Sequence, residues 1–71
     1  MLLWKHAIQW KPFMATIAIP LGATVRVRRQ DGTVDSYVFR GSDAGGLIFE
    51  DPAGKVHRDV GVYTDIAVDL P

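Results

Sequence analysis

The sequence predicts an all-β domain, a small five-stranded barrel preceded by an N-terminal extension. Short β-rich runs recur from residue 23 to residue 70, and turn signals containing Gly, Pro or Asp separate them. Five such runs at this spacing are typical of a closed or nearly closed barrel. The chain's 71 residues allow one domain, which we divide into an N-terminal arm, residues 1–20, and a barrel, residues 21–71.

The first two barrel strands are predicted from a hairpin signal. Asp31-Gly32 joins two runs of strong β propensity, residues 25–30 and 33–40. Asp and Gly tolerate the positive φ of a type I′ turn, so a two-residue hairpin loop is expected. Gly32 is the residue that we expect at positive φ.

A two-residue loop fixes which side chains share a face of the hairpin. It places Arg28 opposite Asp35 as an ion pair, and Arg26 opposite Tyr37 as a cation–π contact. These four side chains then lie on the outer face. The opposite face belongs in the core and carries four valines: Val25, Val27, Val34 and Val38.

The other strands follow from the same kind of signal. They are residues 47–50, 55–58 and 60–70, the last with a break at residues 63–65. A glycine-rich loop, residues 41–46, precedes them. Residues 51–54 fit a type I turn, because Asp, Pro and Gly stand at its first, second and fourth positions.

The sequence allows two secondary structures at the start of the N-terminal extension. Residues 2–10 alternate as a strand does, but their apolar residues also fit one stripe of a short helix, and both interpretations stay open. Residues 13–19 alternate more regularly, and Pro20-Leu21-Gly22 would end that strand.

Composition excludes several classes of function. Eight basic residues balance eight acidic ones, which disfavours nonspecific binding to nucleic acid or to an anionic membrane. Cysteine is absent, so disulfides and thiolate zinc sites are excluded, and the two histidines lie too far apart to suggest a metal site. We expect no cofactor, no metal and no membrane association, since the longest uncharged run has 14 residues. A cytoplasmic protein is expected, or a virion-associated one if a phage encodes it.

Between residues 21 and 70, glycines, strands and acidic residues follow one another in a distinctive order. The features are Gly22, Val25-Arg26-Val27, Asp31-Gly32, Arg40-Gly41, Asp43, Leu47-Ile48-Phe49, Glu50-Asp51 and Thr64-Asp65-Ile66. This order resembles the Sm-like family (LSm and Hfq-type proteins), and SH3-like barrels share much of it. The resemblance implies a five-stranded SH3-like or Sm-like barrel, assembly into a ring, and RNA binding.

The family's RNA-binding motifs are altered in this chain. Asp43 matches the Asp of the family's first RNA-binding motif, but the base-holding Asn of that motif is missing and Gly46 is expected in its place. Residues 62–65 stand where the family offers Arg-Gly or Lys-His, so a cation is missing. RNA binding is therefore the alternative, disfavoured hypothesis. Its candidate contacts are Arg26, Arg28, Tyr37, Asp43, Gly46, Tyr63 and Asp65.

No catalytic residues are predicted. Asp51, His57 and Asp59 form the one carboxylate and imidazole cluster, which is the chemistry of general acid–base catalysis. However, the turn explains Asp51, strand alternation explains His57, and no Ser or Cys nucleophile stands at a recognisable spacing. We therefore expect that the protein is not an enzyme.

Aromatic residues are concentrated in the arm. Trp4, Trp10 and Phe13 are three of the chain's seven aromatics, and a five-stranded barrel cannot easily bury both tryptophans. Packing in the core is one interpretation. The other is an interface with a second subunit, where Trp is enriched. The second predicts a noncatalytic module that forms a homo-oligomer such as a ring, or binds a protein partner, with an interface at Trp4, Ile8, Trp10 and Phe13.

Overall fold

Six antiparallel strands form one sheet in a computed structural model of the chain, which describes residues 9–13 and 17–69. The strands are β1 (Lys11–Pro12), β2 (Thr24–Arg28), β3 (Val34–Asp43), β4 (Gly46–Glu50), β5 (Val56–His57) and β6 (Asp65–Asp69). Their order across the sheet is β1-β6-β2-β3-β4-β5. The predicted all-β class is confirmed, and the described residues contain no helix.

Of the two predicted forms, a closed or a nearly closed barrel, the described residues do not form the closed one. Five strands, β2 to β6, lie between residues 23 and 70 as expected, but β1 and β5 remain the two edges of an open sheet. Each edge strand has two residues, and β5 pairs with Phe49 and Glu50 alone. Strands this short offer too few hydrogen bonds to close the sheet on itself.

The hairpin of β2 and β3 closes through a three-residue loop, so the predicted two-residue type I′ turn is wrong. The Arg29 amide donates to the Thr33 carbonyl at 2.8 Å, and the Gly32 amide donates to the Arg29 carbonyl at 2.9 Å. Gly32 has φ of +89°, as predicted. A type I turn followed by a glycine at positive φ is the common three-residue hairpin loop.

The extra loop residue exchanges the faces of β3 relative to β2. Tyr37 lies opposite Val25, and Ser36 lies opposite Arg26. Tyr37 is therefore buried in the core at 9% exposure, which corrects its predicted place on the outer face. Val34 was expected in the core and is instead 47% exposed on the outer face.

Three other predicted elements are corrected. Residues 41–46 are not one loop, because β3 continues to Asp43 past an irregularity between Phe39 and Ser42. Gly41, with φ of +100°, permits this change of register. Residues 60–64 are not a strand. The predicted strand at residues 13–19 is absent at residues 13 and 17–19, and the predictions for residues 2–8 lie outside the described residues.

The turn at residues 51–54 is confirmed. The Gly54 amide donates to the Asp51 carbonyl at 2.9 Å, and the Asp51 amide donates to the Lys55 carbonyl at 2.9 Å. Gly54 has φ of +87°. The β4–β5 hairpin thus has the same kind of three-residue loop as the β2–β3 hairpin.

The core lies against one face of β2, β3, β4 and β6. Its buried cluster is Val25, Val27, Tyr37, Phe49 and Ile66, and Ile17, Ile19, Phe39, Val60 and Tyr63 pack against it partly buried. Among the described large side chains, Val25 and Val27 alone are fully buried. A core this small leaves the fold dependent on hydrogen bonds and on further apolar contacts.

We expect Gly32→Val to reduce the free energy of unfolding by about 1 kcal/mol or more, because a β-branched residue resists positive φ. Gly32→Asn should cost less, since Asn adopts this conformation more readily. Urea unfolding of both variants provides the measurement. Gln30→Ala in the same exposed loop is the control, and an equal effect of all three changes would contradict the turn geometry.

Candidate functional site

A cleft of about 490 Å³ opens between the first half of β3 and the β4–β5 hairpin. It is lined by Val34, Asp35, Ser36, Tyr37, Asp51, Pro52, Ala53 and His57. The cleft exists because β3 pairs with β4 from Val38 onward, where Val38 faces Glu50. The chain then turns away at Asp51, and the first residues of β3 are left beside a gap.

One wall of the cleft is an Asp–His pair. Asp51 Oδ2 lies 2.8 Å from His57 Nε2. Asp51 Oδ1 accepts the amides of Ala53 at 3.0 Å and Lys55 at 2.9 Å. The hydrogen bond with His57, followed by the one from the Lys55 amide, lowers the pKa of the Asp51 carboxyl. The hairpin loop therefore holds both side chains in fixed positions.

Tyr37 connects this wall to the core. Its ring meets the His57 ring edge-on, with centroids 5.4 Å apart, and the Phe49 ring with centroids 6.3 Å apart. Its hydroxyl accepts a hydrogen bond from Arg29 Nη2 at 2.8 Å. The ring of Tyr37 is thus buried while its hydroxyl is hydrogen-bonded, as is usual for a buried tyrosine.

Arg29 joins the hairpin to the segment before β6. Its Nε donates to Asp35 Oδ2 at 2.9 Å. Its Nη1 donates to the carbonyls of Val60 at 2.5 Å and Val62 at 2.8 Å. Those carbonyls bond a guanidinium instead of a neighbouring strand, which explains why residues 60–64 are not a strand.

The cleft has no catalytic arrangement among the residues that line it. Ser36 is the one hydroxyl that could act as a nucleophile there, and it lies on the face of β3 opposite Tyr37, which His57 contacts. The hydroxyl makes no hydrogen bond with His57. Asp59 accepts the Gly61 amide and does not join Asp51 and His57. Within residues 9–13 and 17–69, no three ligand side chains gather around a possible metal site.

The predicted RNA contacts on β2 and β6 are occupied by ion pairs. Arg28 Nη1 lies 2.9 Å from Asp65 Oδ2, and Arg26 Nη2 lies 3.4 Å from Asp69 Oδ2. The predicted Arg28–Asp35 pair is wrong, because Asp35 pairs with Arg29. The predicted Arg26–Tyr37 contact is also wrong, because Tyr37 faces the core.

The other predicted RNA contacts fall in two separate groups. Asp43 and Gly46 are partners at the β3–β4 turn, where Asp43 Oδ1 accepts a hydrogen bond from Arg58 Nη1 at 2.6 Å. That bond, followed by one from the Gly45 amide, lowers the pKa of the Asp43 carboxyl. Tyr63 packs edge-on against Phe13, with centroids 5.2 Å apart.

Every arginine of the chain has an acidic partner. The five arginines pair with five different carboxylates: Arg26 with Asp69, Arg28 with Asp65, Arg29 with Asp35, Arg40 with Glu50, and Arg58 with Asp43. The guanidinium groups are therefore neutralised within the fold. A phosphate backbone would have to compete with these carboxylates for each of them.

Two of the four predicted interface residues, Trp10 and Phe13, lie in the described part of the chain. Trp10 is half-buried, and Arg28 Cζ lies 4.1 Å from the centroid of its ring. This distance is that of a cation–π contact. Phe13 is 51% exposed even though it packs on Tyr63. Trp4 and Ile8 lie outside the described residues.

No family model, curated protein or solved structure matches this chain. In the described part of the chain there is no helix long and apolar enough to cross a membrane.

The roles of Arg29 and of the first half of β3 could not be predicted from the sequence pattern. Both depend on the loop length between β2 and β3, and Asp31-Gly32 is compatible with two residues or three. The signal that distinguishes them is Tyr37. A three-residue loop places this aromatic residue with Val25 and Val27, whereas a two-residue loop exposes it.

We expect Arg29→Lys to lower the free energy of unfolding by about 1–3 kcal/mol, because an ammonium group cannot bond all four acceptors and leaves some unsatisfied. Arg26→Lys is the matched control. Its single long ion pair is exposed, so the cost should be under about 0.5 kcal/mol. Urea unfolding measures both, and equal costs would contradict the role of Arg29.

Acid should destabilise the fold through Asp31, Asp43 and Asp51. Each has its pKa lowered from an ordinary 3.8, Asp31 mainly by the Thr33 amide. The folded state therefore binds these protons more weakly than the unfolded state. Their contribution is complete above about pH 5 and is lost as the pH falls below about 4. Urea midpoints against pH should show this fall, and Asp51→Asn should make it shallower. An unchanged acid profile in the variant would contradict the assignment.

Proposed function

We propose that this protein is a noncatalytic, self-associating module of the small-barrel kind. The observation that carries the proposal is the balance between buried and exposed apolar side chains. Two large side chains are fully buried among the described residues, whereas six are between 45% and 72% exposed. The six are Phe13, Leu21, Val34, Leu47, Val56 and Val62. Burying part of this surface against a second copy would add the apolar contacts that the small core lacks.

The strand order supports a relationship to SH3-like or Sm-like barrels. The last strand, β6, lies next to β2, the first strand of the predicted barrel, and pairs with it over five residues from Thr24 to Arg28. A sheet in which the first and last barrel strands are neighbours has the connectivity that such a barrel needs. β1 and β5 form the two edges of the described sheet, and an edge strand can pair with a neighbouring chain.

The charge distribution supports a protein partner over RNA. All five arginines are paired with carboxylates, and Tyr37 is buried and cannot stack on a base. An RNA site of the single-stranded type needs free cations beside exposed aromatic rings. We therefore propose contacts between copies of the chain as the main role of the surface.

The molar mass in solution tests this proposal. We expect a mass that is a multiple of 7.8 kDa at micromolar concentration and that persists as salt is raised, because apolar contacts are not screened. Trp4→Ala with Trp10→Ala should lower the mass, whereas Lys55→Ala, an exposed control, should not. A monomer at every concentration would overturn the proposal. Submicromolar binding of oligo(U) that weakens steeply with salt would favour RNA instead.

A further inference from the structure

Asp31 differs chemically from the other aspartates of the chain. Of the seven aspartates, Asp31 alone precedes a glycine, and the chain has no asparagine. The amide nitrogen of the residue after an aspartate can attack the aspartyl side chain, and a glycine leaves that approach unobstructed because it has no Cβ. In the part of the chain that the structure describes, no atom beyond the adjoining residues lies within 4 Å of a Cβ built at Gly32. The surface around this peptide bond is therefore open.

The attack closes a succinimide ring. The Gly32 nitrogen bonds to Cγ of Asp31, and the proton of the nitrogen leaves with the hydroxyl of the protonated carboxyl as water. Water then adds to either ring carbonyl and opens the ring. Opening at Cγ restores aspartate. Opening at the backbone carbonyl gives isoaspartate, in which the main chain runs through Cβ and Cγ and the α-carboxylate becomes the side group. The mass of the chain is unchanged, and the reaction consumes no oxidant or cofactor.

The folded loop engages both reacting groups. Asp31 Oδ1 accepts hydrogen bonds from the Thr33 amide at 2.9 Å and from the Thr33 hydroxyl at 2.7 Å. This Asx turn directs the carboxylate towards Thr33. The Gly32 N–H donates to the Arg29 carbonyl at 2.9 Å, so the attacking nitrogen is held as well. Ring closure therefore requires these hydrogen bonds to break first.

The same contacts keep the Asp31 carboxyl in its less reactive form. The hydrogen bond from the Thr33 amide, followed by the one from the Thr33 hydroxyl, lowers the pKa of the Asp31 carboxyl from its ordinary 3.8. An ionised carboxyl has no hydroxyl to lose as water, so it reacts poorly with the Gly32 nitrogen. Because its pKa is lowered, the carboxyl has a smaller protonated fraction in the folded loop than in the unfolded chain at the same pH.

We propose that Asp31-Gly32 is the site of spontaneous isomerisation in this protein, and that Thr33 restrains the reaction while the hairpin loop is closed. Local opening of the loop frees the carboxylate and the Gly32 nitrogen together, so isoaspartate accumulates in proportion to the time that the loop spends open. This modification site is independent of the proposed self-association.

Isomerisation would change the loop that sets the register of β3. It adds one backbone atom between Arg29 and Thr33, whose amide nitrogen and carbonyl oxygen lie 2.8 Å apart. It also removes the Asp31 side chain to which Thr33 donates. We therefore expect the isomerised protein, separated by chromatography, to unfold at a lower urea concentration than the unmodified protein. Equal urea midpoints would overturn this consequence.

Incubation of the full-length protein at neutral pH, in buffer and in urea that unfolds it, tests the site. Trypsin cuts after Arg29 and Arg40 and releases residues 30–40, and chromatography separates the aspartate and isoaspartate forms of this peptide. Electron-transfer fragmentation distinguishes residue 31 from Asp35. We expect isoaspartate at residue 31 to accumulate at least about tenfold faster in urea, the effect of breaking hydrogen bonds to a charged group.

Two variants test the restraint by Thr33. Thr33→Val removes the hydroxyl and keeps the amide, so it should speed isomerisation in buffer about fivefold or more and leave the rate in urea unchanged. Thr64→Val is the matched control, because it removes a hydroxyl that donates to Asp65 Oδ1 at 2.9 Å, outside the loop. Equal acceleration by the two variants, or equal rates for the parent in buffer and urea, would overturn the restraint. An absence of isoaspartate at residue 31 in urea would overturn the site itself.

Discussion

One backbone hydrogen bond, from the Arg29 amide to the Thr33 carbonyl, sets the register on which the rest of the sheet depends. It closes a loop of three residues and so brings Tyr37 to the core face beside Val25. The same register places the Arg29 side chain where it reaches Asp35, Tyr37 and the segment before β6. A loop shorter by one residue would reverse every side chain of β3.

Charged side chains in this protein serve mainly to organise its backbone. The carboxylates of Asp31, Asp51 and Asp59 each accept an amide within their own turn. Arg29 satisfies carbonyls that a strand would otherwise bond. Because the core is small, these polar contacts take over the positioning that apolar packing provides in larger domains. Each guanidinium group in the described structure pairs with a carboxylate. The formal net charge of the chain is zero.

The sequence predicted the all-β class and the positions of the turns better than it predicted which side chains of β3 face the core. Val25-Arg26-Val27, the Asp31-Gly32 loop and the Asp51–Gly54 turn carry strong local preferences, so their positions could be read directly. The exposure of Val34 and the burial of Tyr37 depend on one loop residue, which local propensity does not determine. The cleft could not be predicted either. It results from the register between β3 and β4, together with the turn at Asp51, and that pairing is a tertiary property.

The place of β6 in the sheet has a consequence for how the protein folds. The β2–β3 and β4–β5 hairpins close through local loops, whereas β6 pairs with β2 across about 40 residues of chain. Non-local pairings of this kind are slow to form. Since β6 also separates β2 from β1, Lys11 and Pro12 have no strand to pair with until β6 is in place. During synthesis the two hairpins can form early, but β1 waits for β6 to emerge.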